Sequence, residues 1–168
     1  MDNLTLIGMP GAGKSTIGVV LAKVLGYQFL DSDLLIQQRE GMRLSEIIET
    51  KGPEGFMEVE DQVNASIETD RTVIATGGSV VYCEGAMKHL KSIGKVVYLK
   101  LSLEELSKRL GCLKGRGVLL KDGQTLEDLY MERIPLYEKY ADITVDEEGK
   151  DLEESLQAVL EILNSEKE

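Results

Sequence analysis

The chain has 168 residues, 42% of them apolar and 29% charged, which is typical of a globular domain large enough to bury a core. Its formal net charge of −11 argues against the basic face that nucleic acids and anionic membranes require, so neither is expected as a partner. No apolar run reaches membrane-spanning length, and Cys83 and Cys112 are not spaced as a metal or redox pair. We therefore expect a single cytoplasmic domain over residues 1–168 with two free thiols.

The N-terminal stretch has the order strand, glycine-rich loop, helix. Residues 4–7 are apolar, residues 8–15 read GMPGAGKS, and apolar residues recur at helical spacing over residues 16–25. The form G-x-x-x-x-G-K-S is typical of a phosphate-binding loop, where backbone N–H groups and a helix N-terminus bind phosphate oxygens. In that role Lys14 would reach the β- and γ-phosphates, and the Ser15 hydroxyl would hold Mg²⁺. The predicted nucleotide-binding residues of this stretch are Gly11, Ala12, Gly13, Lys14, Ser15 and Thr16.

The second predicted strand, residues 28–30, runs into Asp31 and Asp33. If the strand continues through them, the two carboxylates point the same way, at the edge of an α/β sheet where ligands bind. One aspartate would then position or deprotonate an acceptor hydroxyl, and the other would hold the water shell of Mg²⁺. The alternative is that one of them only caps a helix over residues 34–39.

The middle of the chain alternates between helical and strand patterns. Apolar stripes predict helices over residues 44–50 and 54–68, with a break at the Lys-Gly-Pro of residues 51–53. The third strand, residues 72–75, opens into a glycine-containing turn where a ligand can approach bare backbone. The remaining predictions in this region are a helix over 83–91, a fourth strand over 95–99 and a capped helix from 102 to 110.

Residues 111–123 fit neither pattern. Their basic, glycine-rich run at 114–117 is either a lid that folds Arg116 over the phosphates or an ordinary surface loop. The C-terminal part predicts a helix over 125–140 interrupted at Pro135, a fifth strand over 143–145 and a helix over 151–163. Strands that alternate with helices predict an α/β fold, a mostly parallel sheet with helices on both faces.

The chain resembles the shikimate kinase family over nearly its whole length. The resemblance rests on the phosphate-binding loop, Asp31-x-Asp33, Gly52 with Phe56 and Glu60, Thr76-Gly77-Gly78, Arg109, and the motif ERIPLY at 132–137 followed by Ala-Asp. It implies a P-loop fold like that of nucleoside monophosphate kinases, with a five-stranded parallel sheet in the order 2-3-1-4-5. It also implies an acceptor-binding segment over residues 32–60, a lid over residues 111–123, ATP and Mg²⁺ as cofactors, and a monomer.

The resemblance also implies roles for single residues. Asp33 would act as the base for the acceptor hydroxyl, and Asp31 would support Mg²⁺ through water. Arg109 would lie by the adenine, Arg116 would act as the lid arginine, and Arg133 would grip a carboxylate of the acceptor. The expected acceptor-binding residues are Asp33, Phe56, Met57, Gly77, Gly78, Ser79 and Arg133.

Three departures from the family pattern matter for the acceptor and the lid. Where the family has an arginine after the phenylalanine, this chain has Met57, with Pro53 in place of the motif's first glutamate. Methionine has no charge to hold a carboxylate, and losing one partner of a buried charge pair costs about 2–5 kcal/mol. The other departures are Ser79 in place of a third glycine and the lid arginine one position early, as Arg116; Arg43 is a candidate for the missing charge.

Three functions are therefore compared. The leading hypothesis is ATP-dependent phosphorylation of a small-molecule hydroxyl, with shikimate as the acceptor. The alternative is a related kinase for a different, less acidic hydroxyl compound, because Met57 replaces the arginine. A nucleotide-binding regulatory protein without transfer activity is disfavoured by the retained Lys14, Ser15 and Asp33.

Overall fold

The structure is a computed structural model and describes residues 2–110 and 123–167. The predicted basic loop with Arg116, most of the predicted lid and Cys112 lie outside the described residues. In chain order the elements are β1 (Asn3–Ile7), α1 (Lys14–Leu25), β2 (Gln28–Asp31), α2 (Ser32–Glu40), α3 (Leu44–Ala65), β3 (Thr72–Ala75), a 3₁₀ turn (Val80–Tyr82), α4 (Glu84–Ile93), β4 (Gly94–Lys100), α5 (Leu103–Arg109), α6 (Leu126–Tyr140), β5 (Ile143–Asp146) and α7 (Leu152–Ser165).

The five strands form one parallel sheet in the order β2-β3-β1-β4-β5, which confirms the predicted α/β fold and strand order. In the register, Leu6 of β1 pairs with Ala75 of β3 and with Val97 of β4. β1 and β3 are buried along their whole length, as expected for a parallel sheet covered on both faces. This order places β1, and the loop that follows it, at the centre of the ligand-binding edge.

Successive strand residues point to opposite faces of the sheet and pack into two separate hydrophobic cores. On one face, Leu6 and Val97 pack with Leu21 of α1 and Val159 of α7. On the other face, Ile74, Val96 and Tyr98 pack with side chains of α4, α5 and α6. A smaller cluster joins α2 to α3 and contains Ile36, Ile47, Phe56, Val59 and Val63. Among the described residues, no helix is both long and apolar enough to cross a membrane.

The predicted break at residues 51–53 is present. α3 runs from Leu44 to Ala65, but Gly52 has φ 73° and ψ 175°, so two helical segments meet there at a kink. Glycine takes this conformation without a Cβ clash, and Pro53 begins the second segment because a proline N lacks the hydrogen that an interior turn needs. The segment after the kink carries Phe56 and Glu60.

One condition set in the sequence analysis is not met, and one prediction is wrong. β2 ends at Asp31 and α2 begins at Ser32, so no strand continues through Asp33. The predicted interruption at Pro135 is also absent, because α6 is continuous from Leu126 to Tyr140. A proline inside a helix removes one hydrogen bond to the carbonyl four residues earlier, here that of Met131, whose side chain is exposed and where water can replace the donor.

Candidate active site

The loop between β1 and α1 has the backbone of a phosphate cradle. Gly8, Gly11 and Gly13 all have positive φ, and the Gly13 carbonyl accepts the first helical hydrogen bond of α1, from Ile17 N at 2.8 Å. A Cβ on Gly8 would stand 2.7 Å from the Leu99 carbonyl oxygen, so a side chain there would push the loop away from β4. Backbone N–H groups at the start of α1 are thereby left to bind an anion.

Lys14 is folded back over this loop. Its Nζ donates to the carbonyl oxygens of Gly8 at 2.7 Å and Met9 at 2.8 Å, and the residue is buried. Burial lowers the pKa of Lys14 to about 8, and the nearby Asp33 carboxylate opposes that effect. The ammonium is therefore charged at neutral pH, and a bound phosphate would raise its pKa.

Ser15 and Asp31 form the candidate magnesium site. The Ser15 Oγ donates to Asp31 Oδ2 at 2.8 Å, while Asp31 Oδ1 accepts from the backbone N–H groups of Asp33 at 2.9 Å and Leu34 at 3.2 Å. Asp31 therefore caps α2, as one of the two sequence interpretations expected, and it also contacts Ser15 of the phosphate-binding loop. Its role toward Mg²⁺ stays a prediction. No group of three His, Cys, Asp or Glu side chains that could hold a metal ion occurs among the described residues.

Asp33 lies in the first turn of α2 and faces the same space as Lys14. Burial raises the pKa of Asp33 to about 6; the Asp31 carboxylate adds to this shift and Lys14 opposes it. A Cβ on Gly77 would stand 2.6 Å from Asp33 Oδ1, so glycine is required for the two elements to approach. A carboxylate with this pKa is suited to accept a proton near neutral pH.

One cavity of about 390 Å³ brings these groups together. It lies between the phosphate-binding loop, α2, α3, the turn after β3 and α6. Its described lining includes most of the predicted site residues: Gly11, Gly13, Lys14, Ser15, Thr16, Asp33, Phe56, Gly77, Gly78, Ser79 and Arg133. Leu44, Glu60, Thr76 and Pro10 also line it, and the predictions gave them no role.

Arg133 enters the cavity from α6 and is held from behind by aromatic residues. It is 1% exposed, its Nε donates to Tyr82 Oη at 3.4 Å, and its guanidinium carbon lies 5.3 Å from the Tyr82 ring centre. Tyr137, one helical turn further, donates from Oη to the Gly78 carbonyl at 2.6 Å and stacks on Tyr98. These contacts join α6 to the turn after β3 and orient the arginine.

Glu60 is a site residue that the sequence motif contained without assigning it a role. It is completely buried, and Ser79 Oγ donates to its Oε1 at 2.6 Å, while Oε2 has no hydrogen-bond partner. Burial raises the pKa of Glu60 to about 7. Its position four residues after Phe56, on the same helical face, was the available signal.

Five residues that the sequence analysis singled out are not among the described lining residues of this cavity: Ala12, Asp31, Arg43, Met57 and Arg109. Met57 is half-buried, and its carbonyl accepts from Cys83 Sγ at 3.5 Å. Arg43 is the N-cap of α3, with a side chain 79% exposed and an ion pair to Glu46 at 3.4 Å. The guanidinium of Arg43 therefore pairs with Glu46 at the surface and does not line this cavity. Arg116 lies outside the described residues.

A second cavity, of about 220 Å³, lies beside the phosphate-binding loop. Arg109 lines it, donating from Nη1 to the Gly11 carbonyl at 3.2 Å and pairing with Glu105 at 3.5 Å. Ala12 lines this cavity as well. Glu147, which follows β5, was not singled out from the sequence; it is 2% exposed, and burial raises its pKa to about 7. Its place at the carboxyl end of a strand was the signal that could have found it.

Comparison with known proteins agrees with this architecture. The family model described as shikimate kinase matches residues 10–164. A shikimate kinase of Thiobacillus denitrificans is 42% identical over 149 residues, covering 86% of this chain and 81% of the relative. One from Pseudomonas paraeruginosa is 42% identical over 166 residues, covering 97% and 96%. The solved structure of shikimate kinase from Acinetobacter baumannii in complex with shikimate superposes with a TM-score of 0.89 at 34% identity, covering 99% of this chain and 95% of that one.

The family model spans nearly the whole chain, and the relatives are matched over most of their length. The strand order agrees with the order that the family resemblance implied. The kinases of this family transfer a phosphoryl group from ATP to a hydroxyl group, which is the chemistry that the cavity is built for. This chain is a member of the shikimate kinase family.

Proposed function

We propose that this protein transfers the γ-phosphoryl group of ATP to a hydroxyl of shikimate, giving shikimate 3-phosphate. The observation that carries the proposal is that Lys14, Asp33 and Arg133 line one cavity next to the phosphate-binding loop. A cation for the phosphates, a carboxylate for the hydroxyl and a guanidinium for a carboxylate are the groups this transfer needs. The relatives reported above, one of them bound to shikimate, support the choice of acceptor.

On the donor side, backbone N–H groups of residues 11–16 would bind the phosphates, and Lys14 would neutralise charge that develops on the transferred group. The Ser15 hydroxyl and, through water, Asp31 would hold Mg²⁺, which when bound supplies further neutralisation of the phosphate oxygens. Arg109 lines the neighbouring cavity, which we assign to the nucleotide base. The expected lid role of Arg116 and the lid over residues 111–123 stay predictions, as does the monomeric state.

On the acceptor side, Asp33 would take the proton from the attacking hydroxyl as the new O–P bond forms. Arg133 would bind the carboxylate of the acceptor in a bidentate contact, which fixes the orientation of the ring. Gly77 and Gly78 would let the acceptor approach the backbone, with Phe56 and Ser79 completing the wall. Residues 32–60 are proposed as the segment that adapts to the acceptor.

One observation favours a second candidate acceptor. Met57 is not among the described lining residues and Arg43 pairs with Glu46, so Arg133 and Lys14 are the basic side chains of the described cavity wall. An acceptor without a carboxylate would need no second arginine. The second candidate is therefore a less acidic polyhydroxy compound.

A coupled assay of ADP release separates the candidates. Shikimate, quinate, gluconate and sorbitol, a polyol without a carboxylate, are each titrated at saturating MgATP, and the product is identified by ³¹P NMR. We expect the largest kcat/KM with shikimate. A larger kcat/KM for a polyol would support the second candidate, and ATP binding without transfer to any acceptor would support the regulatory interpretation.

A further inference from the structure

The carboxyl of Glu60 is buried in the wall of the acceptor cavity without a paired cation among the described residues. Its Oε1 accepts from Ser79 Oγ, and its Oε2 is without a hydrogen-bond partner. That unpartnered oxygen lies 3.1 Å from where a Cβ on Gly77 would stand, and Asp33 Oδ1 lies 2.6 Å from the same point. Two carboxyl groups therefore approach the same glycine from α2 and α3.

Each element packed around Glu60 contributes a polar or charged group. Ser79, after β3, donates to the carboxyl, and the Cys83 thiol at the start of α4 lies 3.9 Å from Oε1. Asp33 of α2 repels an ionised Glu60, and Arg133 of α6 attracts it. Lys14 lines the same cavity. Burial and Asp33 favour the neutral acid, whose pKa is raised to about 7.

The charge of Glu60 has a direct consequence for the acceptor. When Glu60 is neutral, the positive charge of Arg133 attracts the carboxylate of an incoming acceptor. An ionised Glu60 places a second negative charge in the same low-dielectric wall, where it offsets Arg133 and repels the acceptor. The acceptor and an ionised Glu60 therefore compete for one guanidinium.

We propose that Glu60 is a positioning residue that sets the affinity for the acceptor by leaving Arg133 to the acceptor's carboxylate only while Glu60 is neutral. This inference rests on the proposed function, in which the acceptor carries a carboxylate. The acceptor KM then rises with pH, because only the enzyme with neutral Glu60 binds well.

Two of the departures noted in the sequence act on this one carboxyl. Ser79 supplies a hydroxyl donor to Oε1, which a glycine would not. Met57 stands three residues before Glu60 on the same helix, a spacing at which an arginine side chain would reach the carboxylate and hold it ionised. Methionine there removes a group that would favour the ionised form, whereas the Ser79 hydroxyl favours that form, so burial and Asp33 are what favour the neutral acid. The two substitutions therefore act on the charge of Glu60 in opposite directions.

The test is the pH dependence of the shikimate KM in the wild-type enzyme and three variants. Between about pH 6 and about pH 8, the neutral fraction of Glu60 falls from about nine tenths to about one tenth. We therefore expect the wild-type KM for shikimate to rise by about tenfold over this range. Glu60→Gln, which is always neutral, should keep its pH 6 value at pH 8. Glu58→Gln, an exposed position on the same helix, is the matched control and should show the wild-type rise.

Met57→Arg gives a second, independent variant. Its guanidinium should pair with ionised Glu60, so the rise in KM with pH should disappear and the KM at about pH 8 should fall. ADP binding measured by calorimetry checks that each variant is folded. A wild-type KM that does not change with pH, or that rises equally in Glu60→Gln, would overturn this inference while the kinase function stands. Absence of shikimate phosphorylation at any pH would instead overturn the proposed function.

Discussion

The donor half and the acceptor half of the cavity are built in different ways. The phosphate cradle of the donor half consists of consecutive residues, and its internal bonds are short in sequence, such as Lys14 to Gly8 and Met9. Asp31 and Arg109 reach it from elsewhere in the chain. The acceptor half takes Asp33 from α2, Glu60 from α3 and Arg133 from α6. A change in the donor half alters a backbone cradle directly. A change in the acceptor half can be balanced by another residue far away in sequence, as Ser79 and Met57 illustrate.

Burial shifts the pKa values of side chains in opposite directions in the two halves of the cavity. It lowers the pKa of Lys14 on the donor side and raises the pKa of Asp33 and Glu60 on the acceptor side. A triphosphate brings several negative charges and would restore full charge on the lysine. The acceptor brings one carboxylate, so each nearby charge changes its affinity measurably. The donor half should therefore tolerate pH changes better than the acceptor half.

The largest expected effect is in the donor half. Lys14→Ala removes a cation from the transferring phosphoryl group, and we expect kcat to fall by about 10⁴-fold. A coupled assay of ADP release at saturating MgATP and shikimate measures this fall in kcat. Lys23→Ala, exposed on the same helix, is the matched control and should keep wild-type turnover. Normal turnover in Lys14→Ala would contradict the role given to this lysine.

The next largest effect is expected at Asp33, which lies where the donor half and the acceptor half of the cavity meet. Asp33→Asn removes the base, and kcat should fall by about 10³-fold while ADP still binds. Since Asp33 must be ionised to accept a proton, wild-type kcat/KM should increase severalfold from about pH 5 to about pH 6.5. That acid limb should be absent from the residual activity of Asp33→Asn.

Asp70→Asn, an exposed substitution before β3, controls for the loss of an aspartate as such. It should retain both the wild-type rate and the acid limb. An acid limb that persists unchanged in Asp33→Asn would assign the titration to another group.

A smaller effect is expected in the acceptor half alone. Arg133→Gln keeps a polar side chain but removes the charge, so the shikimate KM should rise by about 100-fold, with little change in the KM for ATP. Arg71→Gln, exposed at the far end of β3, is the control. Equal increases in both KM values would mean that the two halves are not separable at this residue.

The smallest effect comes from one added methyl group. In Gly78→Ala the new Cβ would stand 2.8 Å from Arg133 Nη1 and 2.8 Å from Pro10 Cδ, so the guanidinium must move by a few tenths of an ångström. We expect about a tenfold rise in the shikimate KM, because misplacement of a binding group is costly. Gly149→Ala has no neighbour within 4 Å and should lower only the melting temperature, through its positive φ. An unchanged KM in Gly78→Ala would show that the arginine can adjust.

Much of the fold was available in the sequence. The third strand was predicted with its exact bounds, and the break at Gly52 followed from a glycine and a proline in succession. The strand order came from the resemblance to a family, since apolar patterning indicates strands but not their neighbours. The error at Pro135 arose because local patterning cannot weigh the packing of Leu129 and Tyr137, which keeps α6 continuous.

The sequence by itself determined the donor half, because a phosphate cradle is a local backbone conformation and its glycines, lysine and serine are adjacent. Only the tertiary structure decided the acceptor half. It brought Asp33, Glu60 and Arg133 to one cavity, turned Arg43 toward Glu46, and left one oxygen of Glu60 buried without a hydrogen-bond partner. The physical reason is that desolvation and charge balance depend on which distant elements meet, and spacing along a chain does not contain that information.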